Sequence, residues 1–330
     1  MVLCEGVNMY PCKTAHRTFV HHMALDPSGA LLASCSSDKV VNIFHRTLLD
    51  TESNDWSLCC VLNDHVATVT RVAWCLHREH EALLATAGAD RWIYVYKIEI
   101  VIHDGKPVVQ AERCSTVRGY ETDVITDVAF IRPQQRYGLR LSTASLDGWV
   151  RLYEVQQKQL LSISKITQET EVGRPLETRS GAITSIAWFP SSADEAMTLA
   201  VGCMNGCFYL YRVSNEYKHF ERIRSAPFER ANASIHHIVW GPSVGRPFQL
   251  LAICCRSCVY ILRLNCVSPA LEDFDCELFK WPQGAVCAAW SRSAVLLYLV
   301  SDDEGTEMTV LRTRDPSDHQ SWEEVSENFP

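Results

Sequence analysis

The chain has 330 residues, 47% of them hydrophobic, with 31 Lys and Arg against 39 Asp and Glu and a formal net charge of −8. That balance excludes a nucleic-acid-binding face of massed cations, because displacing phosphate counterions needs clustered Lys and Arg. The longest apolar run, 294–300, is far shorter than the roughly 20 residues a membrane-spanning helix needs, so no membrane insertion is expected.

A short phrase recurs along the chain: apolar residues of strand character ending in an aromatic. It reads Val69-Thr70-Arg71-Val72-Ala73-Trp74, Ile125-Thr126-Asp127-Val128-Ala129-Phe130, Ile183-Thr184-Ser185-Ile186-Ala187-Trp188 and Ile235-His236-His237-Ile238-Val239-Trp240, with weaker copies at 20–25 and 285–290. The final residues, Leu25, Trp74, Phe130, Trp188, Trp240 and Trp290, are separated by 49, 56, 58, 52 and 50 positions by subtraction. Self-similarity at that period is the signature of a β-propeller, one four-stranded blade per copy. After each aromatic comes a polar turn, such as Asp26-Pro27-Ser28-Gly29 or Phe189-Pro190-Ser191-Ser192, and then an apolar strand such as Leu31-Leu32-Ala33-Ser34. A tight turn then carries Asp38, Asp90, Asp147 or Asn205, residue types that tolerate left-handed backbone. A further strand follows, as in Ile93-Tyr94-Val95-Tyr96 or Val150-Arg151-Leu152-Tyr153, with β-branched and aromatic residues alternating.

The expectation is an all-β propeller of six blades in one domain over 1–312, with blades near 16–46, 65–98, 121–155, 180–213, 231–264 and 284–312. Segments 101–118, 156–179 and 266–282 are expected as loops or linkers between blades, and 313–330 as a flexible acidic tail with Glu323-Glu324 at a solvated end. A repeat fold builds its core unit by unit, so this length remains one domain. The first 15 residues show no extra strand that would pair with the last blade and lock the ring.

Nine residues before the aromatic position stand His16 and His65, followed by the turn residues Asp38 and Asp90. Such a pair resembles the His and Asp of WD-type blades, which with a Ser or Thr form a buried network that satisfies otherwise stranded polar groups. The matching positions in later copies are Glu121, Arg179 and Ala231, so those blades are degenerate. His16, Asp38, His65, Asp90 and Asp147 are assigned to a structural blade network rather than to metal or catalysis. Cys254-Cys255-Arg256-Ser257-Cys258 lacks a second ligand pair at zinc spacing, and alternation in a strand points neighbouring side chains to opposite faces. Cys59-Cys60 reads as a strand pair by the same rule. No glycine-rich phosphate loop is present, so no cofactor is expected, and no catalytic constellation is found. Charge at Glu5 interrupts the N-terminal apolar residues, which argues against a secretory signal; the fifteen Cys are expected as reduced, mostly buried thiols inside the cell, where the sequon at Asn232 has no meaning.

The phrases Thr126 to Phe130 and Leu141 to Glu154 resemble the third blade of the Seh-type WD-repeat nucleoporins, the sister group of the Sec-thirteen coat proteins. Gly241-Pro242-Ser243-Val244-Gly245-Arg246-Pro247-Phe248 before an apolar strand is similar too, as is Ser34-Cys35-Ser36-Ser37-Asp38-Lys39-Val40-Val41. The resemblance covers about residues 16–311, weakly in the sixth copy and not in the tail after Arg314. It implies an open propeller whose seventh blade is supplied in trans by a helical scaffold nucleoporin, with partner-contact residues unassigned. It implies a structural, non-enzymatic subunit of the Y-shaped nuclear pore complex at the nuclear envelope, in contact with other subunits of that complex. In relatives it also implies a coat-like nutrient-signalling complex at the lysosomal or vacuolar surface. The alternatives are a Sec-thirteen-like outer coat subunit of vesicles leaving the endoplasmic reticulum and a substrate receptor of a ubiquitin ligase.

Overall fold

The computed structural model describes residues 15–46, 56–75, 82–103, 106–118, 120–131, 139–158, 162–170, 181–189, 197–213, 220–223, 231, 233–242, 246–265, 275–301, 308–315, 318 and 320–325. The first 14 residues, Arg179 and the sequon at Asn232 lie outside them. The described residues form 24 strands in six four-stranded antiparallel sheets, each a meander in chain order. The first sheet holds β1 (Val20–Leu25), β2 (Leu31–Ser36), β3 (Val41–Arg46) and β4 (Trp56–Leu62), and the second β5 (Val69–Trp74), β6 (Ala82–Gly88), β7 (Trp92–His103) and β8 (Lys106–Arg118). The third has β9 (Ile125–Ile131), β10 (Leu139–Ser145), β11 (Val150–Lys158) and β12 (Ser162–Thr170), and the fourth β13 (Ile183–Trp188), β14 (Met197–Cys203), β15 (Phe208–Val213) and β16 (Phe220–Ile223). The fifth has β17 (Ile235–Trp240), β18 (Phe248–Cys255), β19 (Val259–Asn265) and β20 (Asp275–Trp281), and the sixth β21 (Cys287–Trp290), β22 (Leu296–Val300), β23 (Met308–Thr313) and β24 (Trp322–Glu324). Two compact units result, one around the first two sheets, the other around the remaining four.

The recurring phrase is the first strand of each sheet, and the apolar run after it is the second, buried on both faces. In the first unit one core joins the first two sheets through Ala33, Ile43, Val72, Trp74 and Leu84. In the second unit, successive pairs of sheets bury Leu152 with Ile186, Leu210 with Ile238, and Ile261 with Leu299. Gly202 on β14 permits that approach, since an added Cβ would stand 2.6 Å from the Ile235 side chain on the next sheet. Cys254 and Cys255 belong to opposite cores, as strand alternation requires. The Asp26 carboxylate accepts from the Leu31 and Ser28 N–H groups at 2.7 and 3.1 Å, which fixes the first turn, and Gly29 takes the left-handed φ of 75° there.

The expected linkers are corrected by the structure. Segment 101–118 is the end of β7 plus β8; 156–179 contains the end of β11 and β12; 266–282 contains β20. Each supplies the outer strand of a sheet, as β4, β16 and β24 do elsewhere. These strands were illegible as strands because one edge and most side chains are solvated: β4 and β16 are largely exposed along their length. The ladder to the third strand, not an apolar period, holds them. The flexible tail is likewise corrected, since β24 pairs with Leu311–Thr313 and Trp322 is buried against Trp290, ring centroids 5.6 Å apart. Glu323 and Glu324 do point to solvent.

Candidate functional site

The turn networks assemble where the sequence placed them in the first two sheets. His16 meets Asp38 through Nδ1 at 3.0 Å and Ser34 through Nε2 at 2.8 Å; His65 meets Asp90 at 2.9 Å and Thr86 at 2.8 Å. A carboxylate only accepts, so Nδ1 carries a proton, and in the neutral ring Nε2 accepts from the hydroxyl. Each carboxylate also accepts two backbone N–H bonds, from Arg17 and Val40 in one case and Val66 and Trp92 in the other. Burial pushes Asp38 and Asp90 up, but the donated hydrogen bonds outweigh it and hold both carboxyls below their ordinary range. The side chains of His65 and Asp90 are each only 2% exposed. Tyr96 on β7 adds a 2.7 Å bond to Asp64, the residue before His65.

In the third sheet, where Glu121 replaces the histidine, the bonds around Asp147 are arranged differently. Glu121 stands in the His position and accepts from Thr143 at 2.6 Å and from Tyr153, the counterpart of Tyr96, at 2.7 Å. An acceptor cannot satisfy Asp147, so Arg151 does, at 2.9 Å, with the Thr122 and Trp149 N–H groups at 2.9 and 3.1 Å. Asp147 too is held low: burial raises it, and the bonds from Arg151 and Thr122 more than offset that. Burial, then the Glu121 charge, drives the Tyr153 hydroxyl far upward, so it stays a donor. In the fourth sheet Asn205 accepts the Cys207 N–H at 3.0 Å. Among the described residues no group of three or more His, Cys, Asp or Glu is arranged to hold a metal ion.

Sequence reasoning missed how each first strand is tied to the preceding sheet. The recurring Trp is one tie: Trp74 donates its indole N–H to the Ala24 carbonyl, Trp240 to Ala187 and Trp290 to Val239. Trp188 reaches the Ser142 hydroxyl at 2.8 Å, which passes a bond to Ala129. The third residue of the phrase is the other tie. Asp127 accepts the Ile186 N–H and the Ser185 hydroxyl, Ser185 accepts the Ile238 N–H, and His237 Nδ1 accepts the Ala288 N–H. Each caps an open-edge donor of the next first strand, which would otherwise be an unpaired strand edge. A bulge at the second residue makes room, and there Thr126 and Thr184 donate to the next sheet's Ile183 and Ile235 carbonyls. The only signal in the sequence was a polar third residue between Ile or Val positions.

The fourth and sixth residues of the phrase face the preceding sheet and are buried in β5 and β17 as Val72, Trp74, Ile238 and Trp240. In β1 they are Met23 and Leu25, 39% and 54% exposed. Register places Leu25, Leu32, Phe44 and Leu58 in one row across the first sheet, and Met23, Ser34, Asn42 and Val61 in the next. Both ends of both rows, Leu25 with Leu58 and Met23 with Val61, are exposed. The two outer strands of this sheet therefore present four large apolar side chains to solvent, while Leu32, Phe44, Ser34 and Asn42 between them are buried.

The repeated meanders and turn networks define a WD-repeat β-propeller protein. A family model for the WD domain, G-beta repeat, matches residues 9–45. The structure is similar to a chain of the "Crystal Structure of Mitotic Checkpoint Complex" with a TM-score of 0.61 at 15% identity, over 92% of this chain and 77% of that one, a likeness of fold. In sequence the chain is similar to Nucleoporin SEH1 of Xenopus tropicalis and of Homo sapiens, each 26% identical over 244 residues, 72% of this chain. Nucleoporin seh1 of Schizosaccharomyces pombe is 25% identical over 253 residues, 76% of this chain and 70% of its own length. The match spans 64% of the length of the frog and human relatives. The resemblance to Seh-type WD-repeat nucleoporins thus extends from single phrases to most of the chain.

Proposed function

We propose that this chain is a scaffold subunit of the nuclear pore, of the Seh type, that works by binding rather than by catalysis. Its partner is a helical scaffold nucleoporin that supplies a strand or blade in trans, with other subunits of the Y-shaped complex as neighbours. One observation carries the reading: Met23, Leu25, Leu58 and Val61 stand exposed at positions or rows that are buried against a neighbouring sheet elsewhere in the fold. A donated β element docks on these exposed side chains of the outer strands, its own apolar side chains covering them and its backbone satisfying strand edges. Burying a large aliphatic side chain contributes about 1.5–3 kcal/mol, so four supply a specific anchor.

The test is hydrogen exchange on the chain with and without the partner that co-purifies with it. Protection is expected to rise in 16–46 and 284–312, and also in β4. A Leu25→Asp/Leu58→Asp variant should keep its melting temperature and lose at least tenfold in partner affinity. Protection confined to the turns at one end of the sheets would sink the reading.

A further inference from the structure

Three of the first strands carry a polar third residue that caps an N–H of the next sheet, and the three caps differ in chemistry. The Asp127 carboxylate on β9 accepts the Ile186 N–H at 2.9 Å, the Ser185 hydroxyl on β13 accepts the Ile238 N–H at 3.1 Å, and the His237 imidazole on β17 accepts the Ala288 N–H through Nδ1 at 3.2 Å. A backbone N–H only donates, so Nδ1 must present its lone pair and the ring proton sits on Nε2. A second proton on the ring would set one N–H against another and remove the bond. Neither a carboxylate nor a hydroxyl ordinarily gains a proton between about pH 7.5 and about pH 5.5, whereas imidazole does, around an ordinary value of about 6.5. Of the three caps, acid undoes the one on the sixth sheet.

The histidines of the turn networks do not share this weakness. His16 and His65 already donate from Nδ1 to Asp38 and Asp90, and their Nε2 atoms meet the Ser34 and Thr86 hydroxyls. A hydroxyl can turn from donor to acceptor, so an imidazolium fits there as well as the neutral ring and gains from the carboxylate. The Ala288 N–H cannot turn. The strands packed against β17 are β13, β14, β18 and β21, and none of them contains Asp, Glu, Lys or Arg, so they supply no carboxylate to an imidazolium. Their titratable side chains are thiols: Cys254, the register partner of His237, Cys287, next to Ala288, and Cys203 and Cys255; on β17 itself His236 is adjacent. Burial pushes the Cys254 thiol well up, so it stays uncharged. β21 is four residues long against six in β13 and β17, so one lost cap is a larger part of its fastening.

We propose that His237 is an acid-sensitive latch, which fastens the first strand of the sixth sheet to the fifth at neutral pH and lets it go when the imidazole is protonated. The fastened form needs the neutral ring and the released form takes the proton, so fastening is complete above about pH 6.5 and weakens by up to about tenfold for each unit below. Release bares the edge of β21, and an uncovered strand edge is open to pairing with another chain. The latch does not involve the exposed side chains of β1 and β4, so it stands or falls apart from the docking there.

The test is hydrogen exchange of the full chain at about pH 7.5 and about pH 5.5, each amide corrected for the intrinsic pH dependence of exchange. Protection of the Ala288 amide is expected to fall about tenfold, while the Ile186 and Ile238 amides keep theirs within about twofold. His237→Ser, which repeats the chemistry of Ser185, should leave Ala288 equally protected at the two values. Equal protection of Ala288 in the parent overturns the proposal, as does a tenfold fall that persists in the variant. The imidazole nitrogen shifts of the parent give a second reading: an Nδ1 already protonated at neutral pH overturns the latch whatever the variant does.

Discussion

The second and third sheets solve one local problem with opposite polarity. In the second, His65 bridges a hydroxyl and a carboxylate, donating to one and accepting from the other, while Asp64 accepts from Tyr96. In the third, Glu121 takes both hydroxyl bonds, from Thr143 and Tyr153, and Asp147 turns to Arg151. What persists is the balance of donors and acceptors, not the residue types. The difference also leaves a mark: Glu121 Oε2 is buried without a hydrogen-bond partner, an excess acceptor that the histidine version does not have.

Asp90→Ala should break the second sheet's network most severely. It strands the His65 ring N–H and the Val66 and Trp92 N–H groups, and should cost about 1–3 kcal/mol in chemical denaturation. No change would mean that water reaches the site freely. Asp147→Ala should cost less, about 1 kcal/mol, because the stranded Arg151 retains some access to solvent whereas the His65 ring is buried. A larger loss than for Asp90→Ala would reverse the ranking on which the comparison rests.

Acid should act on both sheets in the same direction. The carboxyls of Asp90 and Asp147 are held below their ordinary value, so their contribution to stability is complete above the unfolded value of about 3.9 and is lost as pH falls through the lower folded value. Asp90→Asn removes that group from the titration, so its loss of stability between neutral pH and pH of about 3 should be smaller than the parent's; an equal loss would assign the acid sensitivity elsewhere. The smallest effect is expected for Glu121→Gln. The amide oxygen keeps both hydroxyl bonds while the buried charge disappears, so stability should change by less than about 1 kcal/mol, with a gain favoured.

The amino-acid sequence by itself determined the period, the first three strands of the first five sheets, the turn residues and the carboxylate partners of His16 and His65. Those features leave a local trace: strands buried on both faces must be apolar and β-branched, and tight turns must use residues that accept left-handed backbone. Tertiary structure alone decided the rest. The outer strands are held by a backbone ladder that any side chain can join, so 106–118 and 275–281 looked like linkers. Asp127, Ser185 and His237 act on N–H groups about 50 to 60 residues further along the chain, a distance that no local pattern spans. Met23 and Leu25 look like any other core pair in sequence; only the structure shows that in this first strand both are exposed, because burial depends on what lies opposite and not on the residue itself.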